Sequence, residues 1–157
     1  MRIIVISDTH GNSAAIFQLL DSTGNIDAVI HLGDETGDTE HLELATTATI
    51  VRIAGNCDAA SPFPRELTLE LGGKRFFLTH GDRYGVKTTL ENLRRKAAVE
   101  RADVVLYGHT HLAAINKLDG RLYVNPGCLK RGCASPGYAL LTLDGQALSA
   151  ELVPLPA

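Results

Sequence analysis

The chain has no tryptophan, a single methionine and few aromatic residues of any kind (5%). It has no run approaching the roughly 20 apolar residues that a membrane-spanning helix needs, so no membrane role is expected. Its N-terminal apolar run, Ile3 to Ile6, is too short for the core of a secretory leader and passes directly into Ser7-Asp8-Thr9-His10. It has no basic excess: 15 Lys and Arg stand against 18 Asp and Glu, a formal net charge of −3. Nothing is therefore spare to neutralise a run of phosphates, and nucleic acid is disfavoured as a partner. Arg94-Arg95-Lys96 is one local basic cluster, read as the solvated face of a helix. Three cysteines, Cys57, Cys128 and Cys133, lack CxxC spacing. They give neither a disulfide framework nor a zinc knuckle, and reduced thiols in a cytoplasmic protein are the expectation.

What is present is ordinary for a folded domain: 157 residues, 45% apolar and 21% charged, which suits one domain over 1–157 with a real core. Arg2 to Ser7, Ala28 to Leu32 and Thr49 to Ile53 read as short buried strands, with helices at Ser13 to Leu20 and, weakly, His41 to Ala45 between them. This alternation implies parallel βαβ units. Asn12 stands where an N-cap belongs. Glu66 to Leu71 and Arg75 to Thr79 flank Gly72-Gly73, a hairpin signal. Val86 to Arg101 carries the strongest helical period, Val86, Leu90, Leu93 and Ala97. Asp103 to Tyr107 is another strand, and a meander follows whose turns are assigned to Asp119-Gly120 and Asp144-Gly145; Pro154 and Pro156 end its last strand. The expected fold class is α/β, two β-sheets packed face to face with helices outside.

Asp8 and His10, Asp34, Asn56, His80, and His109 with His111 each follow a predicted strand end, most of them beside a glycine. In an open α/β sheet the carboxyl ends of the strands form one rim where ligands bind, so residues scattered along the chain can converge. Carboxylate, imidazole and amide oxygen are borderline-to-hard donors suited to Mn, Fe, Co, Ni or Zn. A carboxylate with two oxygens can bridge two ions. Asp-x-His and His-x-His place two donors on one side of an extended segment. Four of the six histidines fall at these ends; His31 and His41 do not, and neither receives a ligand role.

Asp8-Thr9-His10-Gly11, Gly33-Asp34, Gly55-Asn56-Cys57-Asp58, His80-Gly81 and Gly108-His109-Thr110-His111 resemble, in order, the five signature motifs of the calcineurin-like metallophosphoesterases. The Gly-Asn-Cys-Asp version, the short length and Val124-Asn125-Pro126-Gly127 resemble the small YfcE-type branch, related to the retromer metallophosphoesterase-like subunit. The resemblance runs from Met1 to about Val153. It implies the four-layer α-β-β-α fold and a binuclear site. Asp8, His10 and His111 would bind one ion, Asn56, His80 and His109 the other, and Asp34 both. Manganese leads the candidates, followed by nickel, cobalt, iron and zinc. A hydroxide between the ions would attack phosphorus in a small phosphodiester. Asp34, Asn56, Asp58 and His109 are the residues it implies for catalysis.

One position departs from the larger members, which carry histidine where this chain has Cys57. A thiol is a poorer donor to a leaving alkoxide, while Asp58 would remain to orient an imidazole placed there. A metal-binding scaffold with weak or no catalysis is the alternative, and the intact ligand set favours an enzyme. A DNA nuclease is disfavoured by length and charge. Asn125-Pro126-Gly127 reads as a turn, and Arg83, Lys87 and Lys130 as solvated surface within reach of a phosphate. A homo-oligomer is compatible with all of this.

Overall fold

Two five-stranded sheets carry the chain. The computed structural model describes residues 1–155; Pro156, assigned above to the end of the last strand, lies outside them. The first sheet has the order β10-β9-β1-β2-β3 and the second β4-β5-β6-β8-β7. In the first, β1 (Arg2–Ile6), β2 (Ala28–His31) and β3 (Thr49–Arg52) are parallel, with Ile6 opposite His31 and His31 opposite Arg52. In the second, β5 (Lys74–Thr79), β6 (Val104–Leu106) and β8 (Arg121–Asn125) are parallel, with Leu78, Leu106 and Val124 level. Each sheet thus has three parallel strands that end together. Antiparallel strands complete them: β9 (Gly137–Asp144) and β10 (Ala147–Pro154) on one side, β4 (Glu66–Leu71) and β7 (Ala114–Leu118) on the two edges of the other.

Alternation along the strands explains the layering. Ile3, Val5 and Ile30 of the first sheet face Phe76, Leu78, Leu106 and Val124 of the second in one buried core. The opposite faces, Ile4, Ile6 and Val29, are covered by Ile16 and Leu19 of α1 (Ser13–Thr23) and Leu42 of α2 (Leu42–Ala45). Phe77, Val105 and Tyr123 are covered by Leu93 and Ala97 of α3 (Glu91–Val99). The parallel strands read as unbroken apolar runs because both of their faces are buried, each such side chain contributing about 1.5–3 kcal/mol.

Four local expectations change. The third helix starts at Glu91, five residues after Val86, because the chain first closes a separate turn in which the Thr88 and Thr89 amides both donate to the Gly85 carbonyl (2.9 and 3.3 Å); Val86 still packs on the same core. Asn12 occupies the position before α1 without capping it, and its amide donates instead to the Leu129 carbonyl at 2.7 Å. The turn assigned to Asp144-Gly145 slips by one residue. Asp144 pairs with Ala147, so Gly145 (φ 56°) and Gln146 form the bend, while Asp119 and Gly120 both take the positive φ expected of them. Cys128 and Cys133 are joined in a disulfide, against the expectation of reduced thiols; composition was the wrong guide, because the loop folds their Cα atoms to 6.4 Å.

That disulfide closes a six-residue loop lying on the Asp8 carbonyl, to which the Leu129 and Lys130 amides donate at 3.3 and 3.1 Å. Loop-closure entropy for so short a loop is worth about 2 kcal/mol. Cys133→Ala should lose about that much stability to urea in oxidising buffer and nothing under reduction. Equal stability of the two proteins in oxidising buffer would show that the bridge contributes nothing.

Candidate metal centre

The two sets of parallel strands end on one rim, and hydrogen bonds tie the strand-end loops together there, two of them between the sheets. The His80 ring donates from Nδ1 to the Leu32 carbonyl at 2.8 Å, the Gly108 amide donates to the His80 carbonyl at 2.9 Å, and the His109 amide donates to Asp8 Oδ2 at 3.0 Å. The approach is too close for side chains at two glycines. A Cβ on Gly55 would lie 2.2 Å from Asp34 Oδ1, and one on Gly108 would lie 2.0 Å from Ser7 Oγ. These contacts explain why glycine flanks the candidate ligands.

Asp8, His10, Asp34, His109 and His111 all have φ between 44° and 68°. Aspartate and histidine tolerate this left-handed region better than branched residues do, but five cases at one locus mark concentrated backbone strain. The result is convergence. Asp8 Oδ1 lies 3.0 Å from His111 Nε2 and 3.9 Å from the Nε2 atoms of both His10 and His80. Asp34 Oδ2 lies 3.4 Å from His80 Nε2 and 3.7 Å from His10 Nε2. His80 Nε2 and His109 Nδ1 are 3.2 Å apart. Three donor groups emerge among the described residues, Asp8–His10–His111, Asp34–His80–His109 and, sharing a residue with each, His10–Asp34–Cys57, each with its ligand atoms within 4.8 Å of one another.

This arrangement suits cations better than it suits the bare protein. Asp8 Oδ1 is buried and accepts no hydrogen bond. Asp34 is nearly buried, with Oδ1 accepting from the Cys57 amide at 2.8 Å. Burial opposes its charge, but the His80 ring and the Cys57 N–H hold its carboxyl well below the usual carboxylate range. Burial pulls His80 down, yet contact with Asp34 and the charges of both aspartates leave it above an ordinary imidazole. Burial and the charges of His80 and Lys87 lower His109; burial lowers His111, with Lys130 adding to it. Nδ1–H donation to Leu32 fixes the His80 tautomer and aims Nε2 at the cluster, as a ligand imidazole requires.

Asn56 is exposed beside the cluster, and its amide nitrogen donates to Cys57 Sγ at 3.4 Å, leaving Oδ1 as the donor end for a cation. Cys57 Sγ itself falls within 4.8 Å of donor atoms of His10 and Asp34. Asp58 sits differently from the others. Its oxygens accept from the amides of Asp34 (2.7 Å), Glu35 (3.0 Å), Thr36 (2.9 Å) and Gly55 (2.8 Å), and from the Thr36 hydroxyl at 3.2 Å. Burial raises its pKa, but those amides outweigh it and keep the carboxyl ionised. Asp58 therefore shapes the Asp34 loop through the backbone, and its carboxylate is not free to orient an imidazole at position 57.

Two further residues were not legible as site residues. His31 is buried, its Nδ1 accepts from the Gly33 amide at 3.1 Å, and Nε2 lies 3.1 Å from Thr9 Oγ1. Burial takes its pKa down to about 4, so a neutral ring props the loop between β2 and Asp34. Asn125, read as part of a turn, donates from Nδ2 to the Gly108 carbonyl and to Thr110 Oγ1, both at 3.0 Å, and accepts from the Gly127 amide at 2.9 Å. It braces the segment that carries His109 and His111. The basic cluster of α3 stays away from the site: Arg94 pairs with Asp119 at 2.8 Å through two nitrogens, and Lys96 with Glu100 at 2.8 Å.

A family model described as the calcineurin-like phosphoesterase superfamily domain matches residues 1–146. The chain belongs to that superfamily. It is 36% identical over 150 residues to the probable metallophosphoesterase YsnB of Bacillus subtilis, covering 94% of this chain and 87% of YsnB. Phosphodiesterase YfcE of Escherichia coli is 31% identical over 108 residues, 60% of this chain and 53% of YfcE. Among solved structures, a predicted phosphoesterase from Streptococcus pneumoniae superposes with a TM-score of 0.78 at 28% identity, over 96% of this chain and 87% of that one. Vps29 of Entamoeba histolytica shares the fold, with a TM-score of 0.78 at 21% identity over 99% of this chain and 100% of Vps29. The four-layer arrangement of this phosphoesterase domain agrees with the sequence expectation, and no helix among the described residues is long and apolar enough to cross a membrane.

A proton and a bound cation would compete for His80 Nε2. Because its pKa is raised, the proton holds on to higher pH than on a free imidazole of about 6.5. Apparent affinity for a divalent metal should therefore rise with pH and fall as pH drops through that raised value. Chelator-competition titrations between about pH 8 and pH 6 measure it, and a flat profile would mean that His80 is not a ligand.

Proposed function

We propose that the chain is a binuclear metal-dependent phosphoesterase acting on small phosphodiesters. The observation that carries this reading is the linked set of donor groups around Asp8 and Asp34, with a buried Asp8 oxygen that accepts no hydrogen bond. Asp8, His10 and His111 would hold one ion, Asn56, His80 and His109 the other, and Asp34 would serve both. When bound, two such ions lower the pKa of a water, orient the ester and neutralise charge on the phosphoryl oxygens.

The chain's own residues set the rest. His80 and Asp8 are fixed by backbone bonds from the opposite sheet, so the donors are placed before any substrate arrives. Lys87 and Lys130, whose charges reach His109 and His111, stand beside the cluster where a phosphate needs counter-charge. Cys57 holds its proton at neutral pH: although the residue is exposed, partial desolvation of the sulfur and the neighbouring Asp34 push the thiol up to about 11. It is a weaker proton donor than an imidazolium. The preference for diesters draws on the likeness to phosphodiesterase YfcE; imidazole-rich donor sets favour Mn, Co or Ni over Mg.

Chelation should abolish hydrolysis of bis(4-nitrophenyl) phosphate, and Mn, Co or Ni should restore it better than Mg. Asp34→Ala should weaken both metal sites and His10→Ala mainly one, as read by metal analysis of the reconstituted protein. Absence of turnover on monoesters, linear diesters and cyclic nucleotides with every metal would leave a binding scaffold as the better reading.

Leaving-group dependence tests Cys57. Rates on alkyl esters should trail nitrophenyl esters steeply, since only the alkoxide needs a proton. Cys57→His should narrow that gap by well under the ~10²-fold of an aligned general acid, because Asp58 is already committed to backbone amides. Parallel leaving-group dependences in the two proteins would place the proton source elsewhere.

A further inference from the structure

A cavity of about 500 Å³ opens on the rim beside Cys57, with that residue forming part of its wall. Cys57 Sγ is within 4.8 Å of donor atoms of His10 and Asp34, so the cavity begins where the donor cluster ends. A phosphodiester seated at the cluster would have the cavity mouth within reach of one of its two ester arms. The volume is within the ~300–1,000 Å³ of pockets that hold small organic ligands.

Its wall has two chemical characters. Ala60 and the half-buried Phe63 ring supply apolar surface, and Arg52 lies 5.4 Å above that ring. The charge of Arg52 is spoken for: the guanidinium donates to Thr39 Oγ1 at 2.5 Å, to the Thr39 carbonyl at 2.9 Å and to Glu43 at 2.7 Å. Glu35 and Glu40 also line the cavity, and neither has a cationic partner among the described residues. The cavity thus presents an apolar wall under an unbalanced negative rim.

We propose that this cavity is the subsite for one ester arm of the substrate. It receives a compact apolar or aromatic arm against Ala60 and Phe63, and Glu35 with Glu40 excludes arms that end in an anion. The inference rests on the phosphoesterase reading for one thing only, the seating of the phosphodiester group at the donor cluster. Its consequence is a substrate class: diesters with neutral or cationic arms rather than those bearing further phosphates or carboxylates.

Symmetrical diesters test it, because whichever arm enters the cavity is the same. Binding of dimethyl, diphenyl and bis(4-carboxyphenyl) phosphate to Mn-loaded protein is measured by calorimetry or competition, with no turnover needed. Diphenyl phosphate should bind more tightly than dimethyl phosphate. Ala60→Trp, a change at an exposed position, should fill the cavity and weaken diphenyl phosphate about tenfold or more relative to dimethyl phosphate. Glu35→Gln/Glu40→Gln should improve bis(4-carboxyphenyl) phosphate relative to diphenyl phosphate by about three- to tenfold, a gain that shrinks in high salt. Wild-type ratios in both variants would overturn the subsite. The two readings fail separately. A protein that hydrolyses diesters yet ignores both substitutions keeps the activity and loses the subsite. One that responds to both without hydrolysing any ester keeps the subsite and loses the activity.

Discussion

A buried carboxylate with an unpartnered oxygen is the constraint from which the rest of this molecule follows. Asp8 is fully buried, one oxygen accepts from the His109 amide, and the other faces three imidazoles without receiving a hydrogen bond. Leaving a buried charged acceptor unsatisfied costs more than the ~1–3 kcal/mol of a neutral group. The fold accepts that cost at the one place where both sheets present strand ends, and a cation at that point would repay it by binding the native state alone. The sheets face each other so that β1 and β2 deliver Asp8 and Asp34 while β5 and β6 deliver His80 and His109.

Strain and its compensation are divided between different residues. The left-handed backbone at Asp8, His10, Asp34, His109 and His111 is unfavourable by roughly 1–2 kcal/mol per residue for an ordinary side chain. The groups that hold it there do not point at the cluster. Asp58 gathers four amides of the Asp34 and Gly55 loops, His31 supports Gly33, and Asn125 fastens Gly108 to Thr110. All three are buried or partly buried and charged or neutral as their bonds demand: ionised Asp58, neutral His31. Substituting any of them should act on the cluster by releasing backbone.

The strands and the converging residues were legible because both signals are local. An unbroken apolar run ending in Gly and a polar residue marks a buried parallel strand and its rim, and the rim rule does the rest. Position within the rim was not legible. Asp58 has the same residue type as Asp8 and Asp34, yet its carboxylate faces the amides of Asp34, Glu35, Thr36 and Gly55. Asn12 and Asn125 have partners far along the chain, Leu129 and Gly108, which no spacing reveals. The Cys128–Cys133 pairing failed for the same reason, since five residues of separation say nothing about whether the loop brings two Cα atoms together. The start of α3 failed differently: helical period at Val86 reflects packing on the same core, while Val86 itself sits in a turn closed by the Thr88 and Thr89 amides on the Gly85 carbonyl.

Residue 57 is where these threads cross. Its amide donates to Asp34, its sulfur lies within reach of the donor cluster, and its far side borders the cavity. The amide contact belongs to the backbone, so Cys57→Ser or Cys57→Ala would keep it, and Asp34 would stay in place. The sulfur contributes size and a held proton. A larger imidazole there would add a better acid but project toward the same space that an ester arm needs. Proton donation and arm accommodation therefore draw on one position, and a small side chain at 57 favours room over acidity. The chemistry that fits such a compromise is cleavage of esters whose leaving groups depart without much help, at a centre whose donors are already rigidly placed.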